Sequence, residues 1–308
     1  MTGPRTTSGD PLGFVVLSHH KPYQTVRLTR CLANRFPDAR IVCHHDFSRS
    51  RLDRAELPRS VELVEPHLRT QWGHFSLIQA TLAGLRALFD APAAPEWFVL
   101  LSGVDYPLKP AAEIRDRFLR SAFDAHMNYI LVDPAGPFAA QMDYPQRFLS
   151  VAFWWGQFSP RSRPTWRQLK LCGRFVDKHL LPFHDGLRCY AGSQWFAANR
   201  RVAEHLLDAH RTNHALRRHY RWRFGPDESY FHTIVGNAPG FRVKNEWTHL
   251  VRFVPDGSVD TPKTFTSADL DTLLAAHQPF ARKFDERLDG AVLARLDDAI
   301  GAVSCGTG

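Results

Sequence analysis

The sequence predicts an α/β fold in which an open, mostly parallel sheet is covered by helices. Three observations carry this. Short continuous apolar runs, of the kind a strand buried on both faces requires, recur through the first half. Longer stretches between them carry apolar residues that step by three and four. The two patterns alternate in the order β-α-β-β-α-β-α-β, which parallel pairing with crossover helices produces.

GFVVLSHH (13–20) is the first apolar run. A helix follows from Gln24, with Leu28, Cys31, Leu32 and Phe36 on one face. ARIVCHHD (39–46) and SVELVEP (60–66) read as the next strands. An amphipathic helix spans His74–Phe89, its stripe made of Phe75, Ile78, Leu82, Leu85 and Phe89. EWFVLLSG (96–103) is another buried strand, Ile114 and Phe118 mark a helix, and AHMNYILVD (125–133) is a further strand. The second half is less regular. Residues 143–190, dense in Trp, Arg and Pro, read as loops and short helices. GSQWFAANRR (192–201) reads as a strand running into a helix at Val202–Ala209. Pro226-Asp227 stand at the start of a helical run, Glu228–Val235. Residues 1–12 read as a disordered leader, and AVSCGTG as a frayed end.

Composition narrows the function. A chain of 308 residues, 44% hydrophobic, is enough to bury one large core, or one main domain with a smaller appendage. No apolar run approaches the roughly 18 residues of a membrane helix, and the first residues lack the apolar stretch of a secretory signal. The five cysteines are odd in number and form no CxxC pair, which argues against a disulfide framework and a structural zinc site. A reducing cytoplasm is the expected compartment. The formal charge of +8 suits an anionic partner: a sugar nucleotide, a nucleic acid or an acidic membrane surface. No helix-turn-helix, zinc-finger or RNA-binding signature supports nucleic acid. Peripheral membrane contact remains in view through the Arg- and His-rich segment His205–Arg223, whose simpler reading is a solvated helix face.

Ligands of such sheets bind beyond the carboxyl ends of the strands. His19-His20, His44-His45-Asp46 and Asp105 converge there from three strands. Asp105 ends the triplet Gly103-Val104-Asp105, where metal-dependent sugar transferases carry Asp-x-Asp. One carboxylate without a partner is a poor hard-cation site, so no metal is expected. Glu228 follows Asp227, a suitable N-cap, which would put it in a first helical turn. The dipole there favours the ionised form a general base needs. First-turn glutamates are common for structural reasons too, and the residues alone do not decide between the two. Lys263 in TPKTF and Arg282-Lys283 in PFARKF, between Phe280 and Phe284, are cations fit to neutralise a departing diphosphate. Trp154, Trp155, Trp195 and Trp247 offer faces for an acceptor sugar, although core packing accounts for most aromatic residues.

Several motifs in order resemble one family, the core-2/I-branching β-1,6-N-acetylglucosaminyltransferases with the peptide O-xylosyltransferases and plant glucuronosyltransferases. They are VVLSHHKPYQTVRLTRCL, IVCHHD, WGHFSLIQATLAGLRALF, EWFVLLSGVDYPLKP, GSQWFAANRR, PDESYFHTI and PFARKFD, collinear over 13–286. The resemblance implies a GT-A-like (Rossmann-like) fold with an irregular C-terminal acceptor and diphosphate-binding part. It divides the chain into a single domain at 13–286, with a nucleotide-binding half (13–135) and an acceptor and catalytic half (136–286), then a C-terminal helix and tail (287–308). It implies a UDP-sugar as co-substrate, no cofactor, no metal, and inversion at the anomeric carbon. Glu228 resembles the family's base, Lys283 the diphosphate lysine, and Asp46 the uridine-contacting aspartate. Lys263 falls near a family arginine for the diphosphate. The YFHT and FARKF spellings are nearer the xylosyl- and glucuronosyltransferases. N-acetylglucosamine or xylose is the expected sugar, and a hydroxyl of a glycan, peptide or small molecule the acceptor. The alternative is an inactive module of the same fold that binds a glycan or acidic polymer.

Overall fold

The computed structural model describes residues 9–136, 143–150, 181–253 and 262–301, and the backbone of 152–157 and 165–170. It has the mostly parallel sheet and covering helices that the sequence predicts. Strands β1 (Leu12–Ser18), β2 (Ile41–His45), β3 (Val61–Leu63) and β4 (Trp97–Ser102) form its parallel part. β1 lies between β2 and β4, and β3 pairs outside β2. β5 (Asp105–Pro107) leaves this sheet at once. β6 (Ala125–His126), β11 (Ala197–Asn199) and β12 (Val243–Lys244) complete a seven-stranded order β12-β6-β11-β4-β1-β2-β3. β11 runs antiparallel to both of its neighbours.

β1 shows how the period of two builds a layered core. Phe14 and Val16 enter one buried cluster, Val15 and Leu17 the other. Helices α1 (Pro22–Arg35), α8 (Leu270–Ala275) and α9 (Gly290–Gly301) cover the first face. α2 (Ser76–Phe89), α5 (Arg200–Thr212) and α7 (Tyr230–Gly236) cover the second. Each fully buried Leu, Ile or Phe contributes roughly 1.5–3 kcal/mol. Gly84 lets α2 approach closely, because a Cβ there would lie 2.5 Å from Val15 Cγ1.

Beyond the carboxyl end of β4, a small sheet of order β13-β14-β5 joins β13 (His249–Val251) and β14 (Phe280–Arg282) to β5. β14 runs antiparallel to β5, with Arg282 opposite Asp105. The remaining helices are α3 (Ala111–Leu119), α4 (Tyr144–Phe148) and α6 (His214–Tyr220). The two proposed halves interleave, since β11 and β12 complete the main sheet and β14 pairs with β5.

Several sequence expectations change. The strand foreseen at 125–133 is two: β6 stays in the main sheet, while β7 (Tyr129–Leu131) pairs with β10 (Tyr190–Gly192). The chain turns between them because Met127 N bonds Lys244 O and Tyr129 N bonds Asn245 Oδ1. α1 starts at Pro22, an N1 proline whose missing N–H costs nothing there. α2 starts at Ser76, later than His74. The expected leader stops short of residues 9–12: Leu12 opens β1, and Asp10 is tied to Arg115. Residues 1–8 lie outside the described residues, as does the AVSCGTG end. The 143–190 segment includes a hairpin of β8 (Ala152–Gln157) and β9 (Thr165–Lys170), besides α4. The Val202–Ala209 helix extends over all of α5, capped by the Asn199 side chain on Val202 N.

Among the described residues Cys31, Cys43 and Cys189 are free and buried, and no helix is long and apolar enough to cross a membrane.

Candidate active site

The carboxyl ends of β1, β2 and β4 meet in a dense polar layer. Ser18 Oγ lies 2.8 Å from Thr25 Oγ1 and 2.9 Å from His45 Nδ1. Gly103 closes over them, and a Cβ there would fall 2.3 Å from Thr25 Oγ1. Position 103 therefore has no room for a carboxylate. Burial pushes the His44 and His20 imidazoles down to about 4, and His19 and His45 downward as well. At neutral pH these rings are uncharged, so positive charge at this mouth rests with lysine and arginine.

Asp46 is fully buried. Oδ1 accepts from Ser48 N and Oγ, and Oδ2 from Thr70 N and Oγ1, all within 3.0 Å. Desolvation raises its pKa, but these four bonds outweigh it and leave the carboxyl at about 2. The group clamps the loop after β2 to Thr70. Contact with uridine would require one of these bonds to open, which the resemblance did not foresee.

Asp105 is also fully buried. Its Oδ2 accepts from Ser102 N at 2.6 Å and lies 3.2 Å from His249 Nε2. Its Oδ1 lies 3.5 Å from Arg282 Nε. The Arg282 guanidinium sits 4.3 Å above the Trp195 ring. Asp105 thus braces Arg282 from beneath and is not presented to solvent as a lone ligand. Trp195 is buried, and its part here is to carry Arg282.

Lys283 differs from its neighbour. Among the described residues its ammonium has no hydrogen-bond or ion-pair partner. Burial, then repulsion from Arg282 and Lys21, pushes its pKa down to about 8. A half-buried cation left unpaired beside other cations is the arrangement an anion completes. Lys263, by contrast, is spent: its Nζ lies 2.5 Å from the buried Asp269. The Lys263 backbone carbonyl accepts from Lys283 N at 3.3 Å.

Glu228 is not in the first turn of an α-helix, and Asp227 is not an N-cap. Gly225 at φ 60 starts a 3-10 turn over Pro226–Glu228, Ser229 breaks it at φ −141, and α7 begins at Tyr230. One short turn sums to little dipole. The charge is met by Arg147 on α4, whose Nη2 donates to Glu228 Oε2 at 2.7 Å. Arg147 also donates to Phe224 O and Gly225 O, and its guanidinium lies 4.8 Å from the Phe148 ring centre and 5.2 Å from those of Tyr144 and Phe224. Beside it Asp227 is buried. Desolvation, then repulsion by Glu228, pushes its pKa up to about 7.

The four predicted tryptophans separate. Trp154 and Trp155 are on β8, whose side chains lie outside the described residues. Trp195 lies under Arg282, and Trp247 is exposed between β12 and β13. Trp72, absent from the sequence expectations, is exposed and packs edge-on at 5.2 Å against Phe224, the ring that Arg147 also covers. The reading also passed over Arg147 and His249. DYPQRF carries no periodic signal, and nothing along the chain links Arg147 to a glutamate so far away. Asp227 was visible as an acid, and only its burial marks it. Within His205–Arg223, His210 bonds Tyr230, and the buried His219 bonds Phe148 O. Arg211, Arg218 and Arg221 face solvent. Among the described residues no group of three His, Cys, Asp or Glu could hold a metal ion.

The family described as Core-2/I-Branching enzyme matches residues 14–133 and 156–273. That match contains Asp46, Asp105 and Glu228, and leaves out Arg147, Arg282 and Lys283. The chain is 24% identical over 260 residues to xylosyltransferase 1 of Rattus norvegicus, covering 77% of this chain and 28% of that protein. It is 24% identical over 294 residues to the beta-glucuronosyltransferase GlcAT14A of Arabidopsis thaliana, covering 87% and 60%. The chain therefore spans less than two thirds of the length of either relative. Among solved structures, the galactosyltransferase LgtC, with donor and acceptor sugar analogues, aligns over 94% of this chain and 95% of its own at 10% identity and a TM-score of 0.44.

Proposed function

The chain belongs to the Core-2/I-Branching enzyme family, and from that premise we propose that it is an inverting, metal-independent glycosyltransferase using a UDP-sugar. One observation carries the reading. The Lys283 ammonium, without a partner among the described residues, follows β14 beside the sheet's carboxyl ends, and the Arg147-held carboxylate of Glu228 stands on the turn whose Gly225 N bonds Gly73 O, ahead of α2. One is suited to a diphosphate and the other to an acceptor hydroxyl.

The UDP diphosphate binds at Lys283, with Arg282 braced beside it on Trp195 and Asp105. Negative charge grows on the β-phosphate as the bond from sugar to oxygen breaks, so a cation there stabilises the transition state more than the ground state. Glu228 takes the proton from the acceptor hydroxyl as its oxygen attacks the anomeric carbon from the opposite face. A single displacement inverts that carbon. Arg147 fixes one carboxylate oxygen and leaves the other to serve as base. Such a base contributes about 10²–10⁴-fold. Metal independence is supported by the crowding at Gly103 and by the internal partners of Asp105.

Xylose is the favoured sugar, since the relatives include xylosyltransferases, with N-acetylglucosamine and glucuronic acid next. The acceptor is a hydroxyl of a glycan, peptide or small molecule. The cytoplasm is the proposed compartment, on the odd cysteine count. Hydrolysis and thermal shift with UDP-xylose, UDP-N-acetylglucosamine and UDP-glucuronic acid test the reading. Turnover of at least one donor in EDTA is expected. UDP binding without turnover of any donor, across glycan and peptide acceptors, would favour the inactive binding module.

A further inference from the structure

Each strand of the small sheet sends one polar group to the same buried place. Asp105 comes from β5, His249 from β13 and Arg282 from β14. His249 Nε2 lies 3.2 Å from Asp105 Oδ2, and Arg282 Nε lies 3.5 Å from Asp105 Oδ1. Neither contact has hydrogen-bond geometry, so Nε2, Nε and Oδ1 are buried without a hydrogen bond among the described residues. Buried polar atoms are nearly always bonded. Three loose ones together mark contacts that close when a ligand arrives, as the hydrogen bonds of a site often do.

His249 is fixed from its other side. Its ring stacks on Phe280 at 5.5 Å, and its Nδ1 lies 3.0 Å from the Thr248 hydroxyl, which donates to Trp195 O. A carboxylate accepts and cannot donate, so the Nε2 turned toward it carries a hydrogen. Asp105 Oδ2 is thereby shared between His249 and the Ser102 amide, and only Oδ1 is left to Arg282. The Arg282 guanidinium meets Asp105 through Nε and Trp195 through its face. Its Nη1 and Nη2 make no hydrogen bond among the described residues. That pair is the fork that matches a phosphate.

We propose that His249 is a positioning residue: it holds back the Asp105 carboxylate, so that Arg282 keeps both Nη groups for the diphosphate. This deepens the transferase reading and rests on it. Without the Nε2 hydrogen, Asp105 is free to turn both oxygens on the guanidinium, as carboxylates do with arginine, and one Nη is lost to the donor.

The test is the affinity for UDP and for uridine, by calorimetry at one pH, in wild type, His249→Leu, His249→Gln and His249→Asn, each with and without Arg282→Ala. His249→Leu should weaken UDP about tenfold, the loss expected of one buried polar partner, and leave uridine nearly unchanged. The Gln amide reaches the place of Nε2 and should keep most of the UDP affinity. The Asn amide reaches only the place of Nδ1 and should fail as Leu does, so it serves if the leucine variant does not fold. In the Arg282→Ala background His249→Leu should cost nothing further. A merely structural histidine would weaken UDP and uridine alike, or weaken UDP by the same factor without Arg282. Either result overturns this inference and leaves the transferase reading standing, as does a His249→Gln no better than His249→Leu, or a His249→Leu that binds UDP as the wild type does. No UDP binding by the wild type overturns both.

Discussion

The Arg147 guanidinium donates to the Glu228 carboxylate at 2.7 Å, although the two residues are 81 positions apart. Arg147 is held in turn by two backbone carbonyls and three aromatic rings. The glutamate therefore faces the site from a fixed support, which a general base requires. Replacing Glu228 by Gln keeps the shape and removes the basic oxygen. Transfer should fall at least about 10²-fold, with UDP affinity nearly unchanged. A Glu228→Gln enzyme that retains a tenth of wild-type turnover would place the base elsewhere.

Lys283→Ala should weaken UDP binding and slow transfer together, and should weaken UDP more than uridine, which has no phosphates. The pH dependence has a definite sign. The ammonium is charged below its pKa of about 8. Its help to donor binding is therefore complete at pH 6 and fades as pH rises past 8. Arg282→Ala removes a group packed on Trp195 and paired with Asp105, so it should also lower the melting temperature. A silent Lys283→Ala beside a crippled but folded Arg282→Ala reverses the assignment within FARKF.

Activity should survive chelation by EDTA. Loss in EDTA with recovery on adding Mn²⁺ contradicts the metal-free mechanism. Restoring an acid at the first position of the triplet should not create a metal site either. In Gly103→Asp even the Cβ meets Thr25 Oγ1 at 2.3 Å. Overpacking of that kind costs typically about 1–3 kcal/mol. Thermal melts of Gly103→Ala and Gly103→Asp should both show it, and an unchanged melting temperature would mean that the β1–β4 ends yield more readily than their contacts suggest.

Asp46 should matter for stability at neutral pH and much less in acid. Its folded pKa is about 2 against an ordinary 3.8. A depressed carboxyl stabilises the fold fully above its unfolded pKa and loses that contribution as pH falls through the folded one. The amount is on the order of 2 kcal/mol. Asp46→Asn should therefore unfold more easily than wild type at pH 7, and the gap should narrow between pH 4 and pH 2. A gap independent of pH would show that packing, not charge, is what the substitution removes.

Much of the architecture was legible because burial on both strand faces leaves continuous apolar runs, as in FVVL and FVLL, and because the α2 stripe repeats by three and four. What failed were features set by partners distant in sequence. AHMNYILVD reads as one strand, yet Lys244 and Asn245 bond its middle and split it. PDES reads as a helix start, yet Gly225 and Ser229 make a separate turn of it. The tie from Leu12 to the core and from Asp10 to Arg115 ordered residues that their composition marked as a leader.

The sequence by itself determined the layer order, the glycine in place of a first acid at position 103, and the presence of Asp46, Asp105, Glu228, Arg282 and Lys283 in motifs of one family. Tertiary structure decided which of their charges are free. It closed Asp46 on Thr70, set Asp105 under Arg282, gave Lys263 to Asp269, and left Lys283 unpaired among the described residues. It also brought Arg147 to Glu228 and buried Asp227 beside them. A motif fixes which group is present. Whether that group is ionised, paired or open to a ligand depends on burial and on neighbours that only the folded chain supplies.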